Sequence, residues 1–126
     1  MIHEEINKIV TKYLEPDRCW HEWCDNNWID ECLWCSIRQP VSETEKGTNS
    51  NPDFFGPDSW KWFGWAVEKL VKRDVGFLIH HNALVLIDYR LSPDERNVKT
   101  EHHNLLTKIP QTFATMLAEW IKEKGE

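Results

Sequence analysis

Between Cys19 and Cys35, seventeen residues hold all four cysteines of the chain, one of its histidines and four of its eight tryptophans. The run begins Cys19-Trp20-His21-Glu22-Trp23-Cys24 and closes on Cys32-Leu33-Trp34-Cys35. Thiolates and imidazoles are the ligands that zinc prefers, taken four at a time in a tetrahedron. A Cys-x-x-Cys pair suits one ion because a tight turn brings both sulfurs to the same side, and Cys32 and Cys35 form such a pair. The first half of the run offers Cys19, His21 and Cys24. On an extended backbone, residues two apart face the same way, which groups Cys19 with His21 and turns Cys24 aside. The expected ligand set is Cys19, His21, Cys32 and Cys35, with Cys24 as the alternative to His21. Four protein ligands close the coordination shell, so the expected zinc is structural rather than catalytic. The competing arrangement is reduced thiols packed beside tryptophans, since free cysteine is often buried and inert.

Other residues capable of chemistry are more scattered. His80-His81 with a later Asn104 and an upstream Cys-x-x-Cys loosely resemble HNH nucleases, which gather such side chains around a divalent metal. The second Cys-x-x-Cys usual in that family is missing here. His102 and His103 are adjacent, so on a strand they point to opposite faces. Asp88 ends an apolar run and has no carboxylate partner at catalytic spacing. There is no Gly-rich phosphate loop and no nucleophile elbow.

Hydropathy pattern predicts the elements that hold these residues. With 126 residues, 40% hydrophobic and 29% charged, the chain fits a single folded domain over 1–126. Ile2, Ile6, Ile9, Val10 and Tyr13 predict an amphipathic helix that Pro16 stops. Residues 17–39 form the Cys/His metal module, built of short strands or knuckle turns whose aromatics shield the site. Residues 40–58 read as a loop rich in Pro, Ser, Thr, Asn and Gly. Residues 59–126 form a helix–hairpin–helix core. Its first helix is capped by Asp58 or Ser59 and turns Trp60, Phe63, Gly64, Val67, Leu70 and Val71 inward, with Gly64 allowing close approach to a strand. The runs at 75–80 and 83–89 predict a hairpin turning at His81-Asn82, with Val98–His103 as an edge strand. Pro110 opens the last helix. The fold class is thus α+β, a small antiparallel sheet packed by helices with an N-terminal zinc-knuckle-like segment.

The net charge of −6 disfavours nucleic acid as a partner, because phosphate binding rests on Lys and Arg. No apolar stretch reaches the roughly 20 residues needed to cross a bilayer. The start, Met1-Ile2-His3-Glu4-Glu5, lacks the basic and apolar segments of a signal peptide. The expected compartment is the cytoplasm, where thiols stay reduced.

The order of these parts resembles the phage "ABA sandwich" domain proteins, small bacteriophage proteins without an assigned role. The resemblance lies in the opening helix, in Cys19-Trp20-His21-Glu22-Trp23 with Cys32-Leu33-Trp34-Cys35, and in Asn51-Pro52-Asp53-Phe54-Phe55. It continues in Trp65-Ala66-Val67-Glu68-Lys69-Leu70 and in Thr112-Phe113-Ala114-Thr115-Met116-Leu117-Ala118-Glu119-Trp120. Ser36 stands where the family often has Gly, and Cys24 is extra. The resemblance implies a phage or prophage origin, a host-cell cytosolic setting and helix–sheet–helix layering. Small phage accessory proteins often act by binding a host protein. The resulting expectation is a non-enzymatic protein-binding module of the anti-CRISPR kind, an inhibitor of host defence carrying a structural zinc. The alternatives are an HNH-like nuclease or a zinc-dependent nucleic-acid-binding module. Surplus tryptophans and the acidic surface are the candidate contacts.

Overall fold

Ile6, Val10 and Leu14 recur at helical spacing, and α1 (His3–Leu14) forms on that spacing and buries all three. A computed structural model describes residues 1–80, 83–102 and 108–125, with His80 and His102 described by backbone only. The chain divides into two compact units, one of Met1–Pro16 with Asp53–Glu126 and one of Asp17–Pro52.

In the larger unit, β4 (Val75–His80), β5 (Ala83–Asp88) and β6 (Asn97–His102) form an antiparallel sheet in the order β4-β5-β6. Register runs from Val75↔Asp88 to His80↔Ala83, as the hairpin reading requires. The turn assigned to His81-Asn82 lies outside the described residues. The continuous apolar run of β5 is buried from Leu84 through Asp88. Leu84 and Leu86 join the core shared with the helices. Across the sheet from Ile87, Gly76 lies under the Tyr89 ring, where a β-carbon would sit 2.6 Å from Tyr89 Cε2. Any side chain there would displace the ring.

α4 (Ile109–Glu123) carries Pro110 in its first turn and packs against α1, β5, β6 and α3 (Ser59–Val71). Phe113, fully buried, sits among Phe63, Phe77 and Phe54 with ring centroids 5.1, 5.0 and 6.3 Å away. That aromatic cluster ties both helices to β4.

Of the residues expected inward on α3, Leu70 is buried and Phe63 and Val67 pack half-buried against the core, but the buried face is shifted from the expected one. Trp62, Ala66 and Leu70 are buried, while Trp60 and Val71 are exposed. An apolar residue stands at nearly every turn on every side of this helix, so periodicity leaves its rotation weakly determined and ring packing decides it. No atom lies within 4 Å of a β-carbon built on Gly64, so the expected close approach is absent. Asp58 occupies the N-cap without making a side-chain cap bond.

The smaller unit holds a second antiparallel sheet, β1 (Trp23–Asn26), β2 (Ile29–Cys32) and β3 (Arg38–Pro40), in the order β1-β2-β3. The stretch read as a loop from residue 40 instead begins with a short helix, α2 (Val41–Glu45). Buried Gln39 organises α2 and the turn after it. Its Nε2 donates to Thr44 Oγ1 at 2.8 Å and to Thr48 O at 3.0 Å, and its Oε1 accepts from Asn49 at 2.9 Å. This order comes from polar side chains, which is why a composition of Thr, Asn and Gly read as loop. The unit has almost no hydrophobic core. Cys32 and Pro52 are its buried apolar residues, beside the buried polar Asp30 and Gln39. The helix–sheet core lies wholly in the larger unit.

Candidate metal centre

Cys19 and His21 lie ahead of β1 on a segment that is neither helix nor strand. Asn51 holds it at His21. The His21 N–H donates to Asn51 Oδ1 at 2.9 Å and Asn51 Nδ2 donates to His21 O at 2.8 Å. One residue later Glu22 O accepts from the Leu33 N–H at 2.9 Å, which lays the segment beside the Cys32–Cys35 turn. In that turn the Ser36 N–H donates to Cys32 O at 3.0 Å and the Cys32 N–H to Ile37 O at 2.9 Å. Closing the turn puts Ser36 at φ 63°, in the left-handed region. Gly adopts that region at the lowest cost, and Ser36 takes it here.

The ligand atoms of Cys19, His21, Cys32 and Cys35 all lie within 4.8 Å of one another, and the group could hold a metal ion. Cys19 Sγ is 3.7 Å from Cys32 Sγ, and His21 Nδ1 is 3.5 Å from Cys35 Sγ. No disulfide joins the cysteines. Cys24 stands apart and exposed on β1, with its sulfur 4.0 Å from the Asp25 carbonyl. The strand begins only at Trp23, so Cys19 and His21 come together on a segment outside the sheet, held at His21 by Asn51.

The electrostatics are set for a cation. Burial pushes the Cys19 thiol up to about 12, helped by its hydrogen bonds with Cys35 and Cys32. Burial also pushes the Cys32 thiol up, but the Cys35 N–H, the His21 ring and the Trp34 and Glu22 N–H groups outweigh it. The net result brings Cys32 down to about 6. Two thiols 3.7 Å apart thus split into an early and a late proton. The first-formed thiolate sits where backbone N–H groups converge, which fixes its lone pairs as a bound metal would require.

The aromatics shield the site only in part. Trp23 stacks on His21 with centroids 5.0 Å apart and planes 29° from parallel, which holds the imidazole. Trp28 and Trp34 project outward instead, 84% and 69% exposed. Trp28 shares the β1–β2 turn with Asn27, and both have positive φ, 68° and 53°.

Among the described residues, none of the nuclease-like His and Asn residues belongs to this group. His81, His103 and Asn104 lie outside the described residues, and His80 ends β4 in the other unit. Asp88 has a partner, but a structural one. Arg90 donates to its two oxygens at 2.8 and 2.9 Å, and the Arg90 N–H adds a third bond at 3.1 Å. The Arg90 bonds hold the Asp88 carboxyl below its usual range against the effect of burial.

Sequence reasoning missed Asn51 and Gln39, which carry no periodic or motif signal of their own. Fold and site together define an α+β protein with a small unit whose Cys/His cluster could hold a metal ion. Compared with family models, with curated proteins and with solved structures, the chain matches none. No helix among the described residues is long and apolar enough to cross a membrane.

Proposed function

We propose that this chain is a phage-type accessory protein that binds a host protein through its zinc-held unit, as an inhibitor of host defence of the anti-CRISPR kind would. The zinc is structural. A zinc tetrahedron with bonds of about 2.3 Å to sulfur and about 2.0–2.1 Å to nitrogen has edges of about 3.8 Å between sulfurs and about 3.5 Å between sulfur and nitrogen. The separations of 3.7 and 3.5 Å in the cluster agree with those edges. All four ligands come from protein, which leaves no open position for substrate.

The observation that carries the binding reading is Trp28. A two-residue turn with both residues at positive φ favours Asn-Gly, and this chain has Asn27-Trp28. A bulky side chain in that conformation costs about 1–2 kcal/mol, and Trp28 recovers little by packing because it is 84% exposed. Strain of this kind points to a use outside the fold. Ile29, Leu33, Trp34 and Ile37 of the same unit are exposed as well. Seven acidic and three basic residues fall between Asp17 and Pro52, against 21 and 15 in the whole chain, so most of the net negative charge lies on this unit. The fitting partner is a basic protein surface with an aromatic-sized pocket.

The test separates folding from binding. Trp28→Gly relieves the turn and removes the anchor, so the variant should melt at or above the wild-type temperature while losing the partner. Zinc-loaded wild type and Trp28→Gly are used as baits in a lysate of the bacterial host. A defined protein held by wild type, lost from Trp28→Gly and weakened by salt supports the reading. Equal retention by both baits, or bare nucleic acid as the sole retained species, refutes it.

A further inference from the structure

The larger unit carries a cleft of about 430 Å³ between α1, the end of α3 and α4. Its floor is apolar, made by Ile9, Tyr13, Pro16 and Ile121, and its rim carries Lys12 and Arg73. The Arg73 guanidinium lies 4.7 Å from the Tyr13 ring centroid and donates to Leu14 O at 3.4 Å. Lys124 reaches the same ring at 5.5 Å and that of Trp120 at 4.2 Å. Lys12 and Arg73 form no ion pair with a carboxylate among the described residues, whereas Lys8, Lys69 and Lys99 each do. In a chain with net charge −6, two cations, Lys12 and Arg73, on one mainly apolar cleft are a local reversal of the charge pattern.

We propose that this cleft binds a small aromatic anion, a carboxylate or phosphate on an aromatic body, with Arg73 and Lys12 taking the anionic head. Its volume lies within the range of small-molecule sites, about 300–1,000 Å³, and such sites pair an apolar lining with a few placed polar groups. Ile9, Tyr13 and Pro16, the lining apolar residues that keep accessible surface, take the ring. Arg73 is held in place by the Leu14 carbonyl and the Tyr13 face, so its fork is oriented before the ligand arrives. The cations give the site its selectivity, because an uncharged aromatic would gain only the apolar floor.

The probe is 1-naphthyl phosphate, titrated into the full zinc-loaded chain and followed by two-dimensional NMR of backbone amides. Naphthalene-1-methanol and inorganic phosphate serve as the uncharged and ring-free arms. The expected result is saturable shifts at Ile9, Tyr13 and Ile121, with affinity at least tenfold weaker for both control arms. Arg73→Gln should weaken naphthyl phosphate about tenfold, as loss of one charge-assisted contact does. Should Arg73→Gln fail to fold, Lys12→Gln, on an exposed side chain, carries the same test with a smaller loss. Absence of saturable shifts, equal binding of the alcohol, or shifts confined to residues away from the cleft would overturn the proposal.

Discussion

Removal of the metal should unfold the smaller unit and leave the larger one standing. The reason lies in where the buried apolar surface is. Every member of the hydrophobic core, from Ile6 to Ile121, belongs to the larger unit. The smaller unit buries Cys32 and Pro52 and little else that is apolar. A stand-alone unit shorter than roughly 40 residues usually needs a disulfide, a metal or a partner to fold. Its cysteines form no disulfide, so a metal held by the Cys/His cluster is the source of stability the proposal assigns. A structural zinc contributes on the order of 10–16 kcal/mol near neutral pH, comparable with the ~5–15 kcal/mol that holds a whole domain. Replacing one ligand by Cys32→Ser should weaken zinc by more than the roughly 10–100-fold that loss of an outer-shell partner costs.

The assay is amide hydrogen exchange with and without a chelator, with zinc content checked by elemental analysis. The preparation should hold about one zinc per chain, as a closed four-ligand site requires. Chelation or Cys32→Ser should abolish protection of the amides in β1–β3 and α2, while β5 and α4 keep theirs. Protection of β2 that survives verified removal of the metal would refute the argument. So would loss of protection in α4, which would show that the two units share one cooperative core.

Three further outcomes rest on named residues. Ser36→Gly removes the left-handed strain of the knuckle at some entropic cost in the unfolded chain, a net gain of about 0.5–1 kcal/mol, so zinc should bind about two- to fivefold tighter in a competition titration; weaker binding would contradict the backbone argument. Between pH 6 and 8 the Cys19 thiol, held up at about 12, must release its proton to the metal, so zinc affinity should rise at least tenfold per pH unit, steepening below about 6 where Cys32 also binds a proton; a flat profile measured by calorimetry in two buffers would exclude these thiols as ligands. Asp88→Asn should destabilise the larger unit by about 1–2 kcal/mol at pH 7, the low end for a charged hydrogen bond because Arg90 is half exposed, and since the Asp88 carboxyl is held below its usual range this difference should persist above about pH 4 and fade as acid protonates the native carboxyl; chemical denaturation at both pH values checks it.

The larger unit was legible in the sequence because its elements are specified by apolar periodicity. α1, the β4–β5 hairpin and α4 fall where spacing and Pro110 place them. Periodicity failed on α3, where apolar residues surround the helix and only three-dimensional ring packing selects Trp62 over Trp60. The cysteine run was legible for a different reason. Metal ligands are rare residue types, so their spacing stands out without any surrounding pattern. What sequence could not show is how the segment carrying Cys19 and His21 is held in place. A strand was the natural guess, and a single side chain, Asn51, takes the role through two hydrogen bonds. Gln39 does the same for the stretch after β3. Long-range polar contacts of this kind leave no local signature, since the residues involved look like ordinary loop composition.

Two of the left-handed residues of the smaller unit, Ser36 and Trp28, argue in opposite directions about what it is for. At Ser36 the positive φ closes the turn that carries Cys32 and Cys35, so the strain serves the Cys/His cluster and Gly would serve it better. At Trp28 the positive φ closes a hairpin that Gly would also close better, yet the residue present is the largest available and it faces solvent. A serine at such a site is a small compromise. A tryptophan there is unfavourable both to the backbone and to solubility, and neither the metal nor the core gains from it. On the proposed reading, the sheet and a metal at the Cys/His cluster would form a rigid mount that projects Trp28 from an acidic surface. The cluster explains how the mount is built, and Trp28 indicates which way it points.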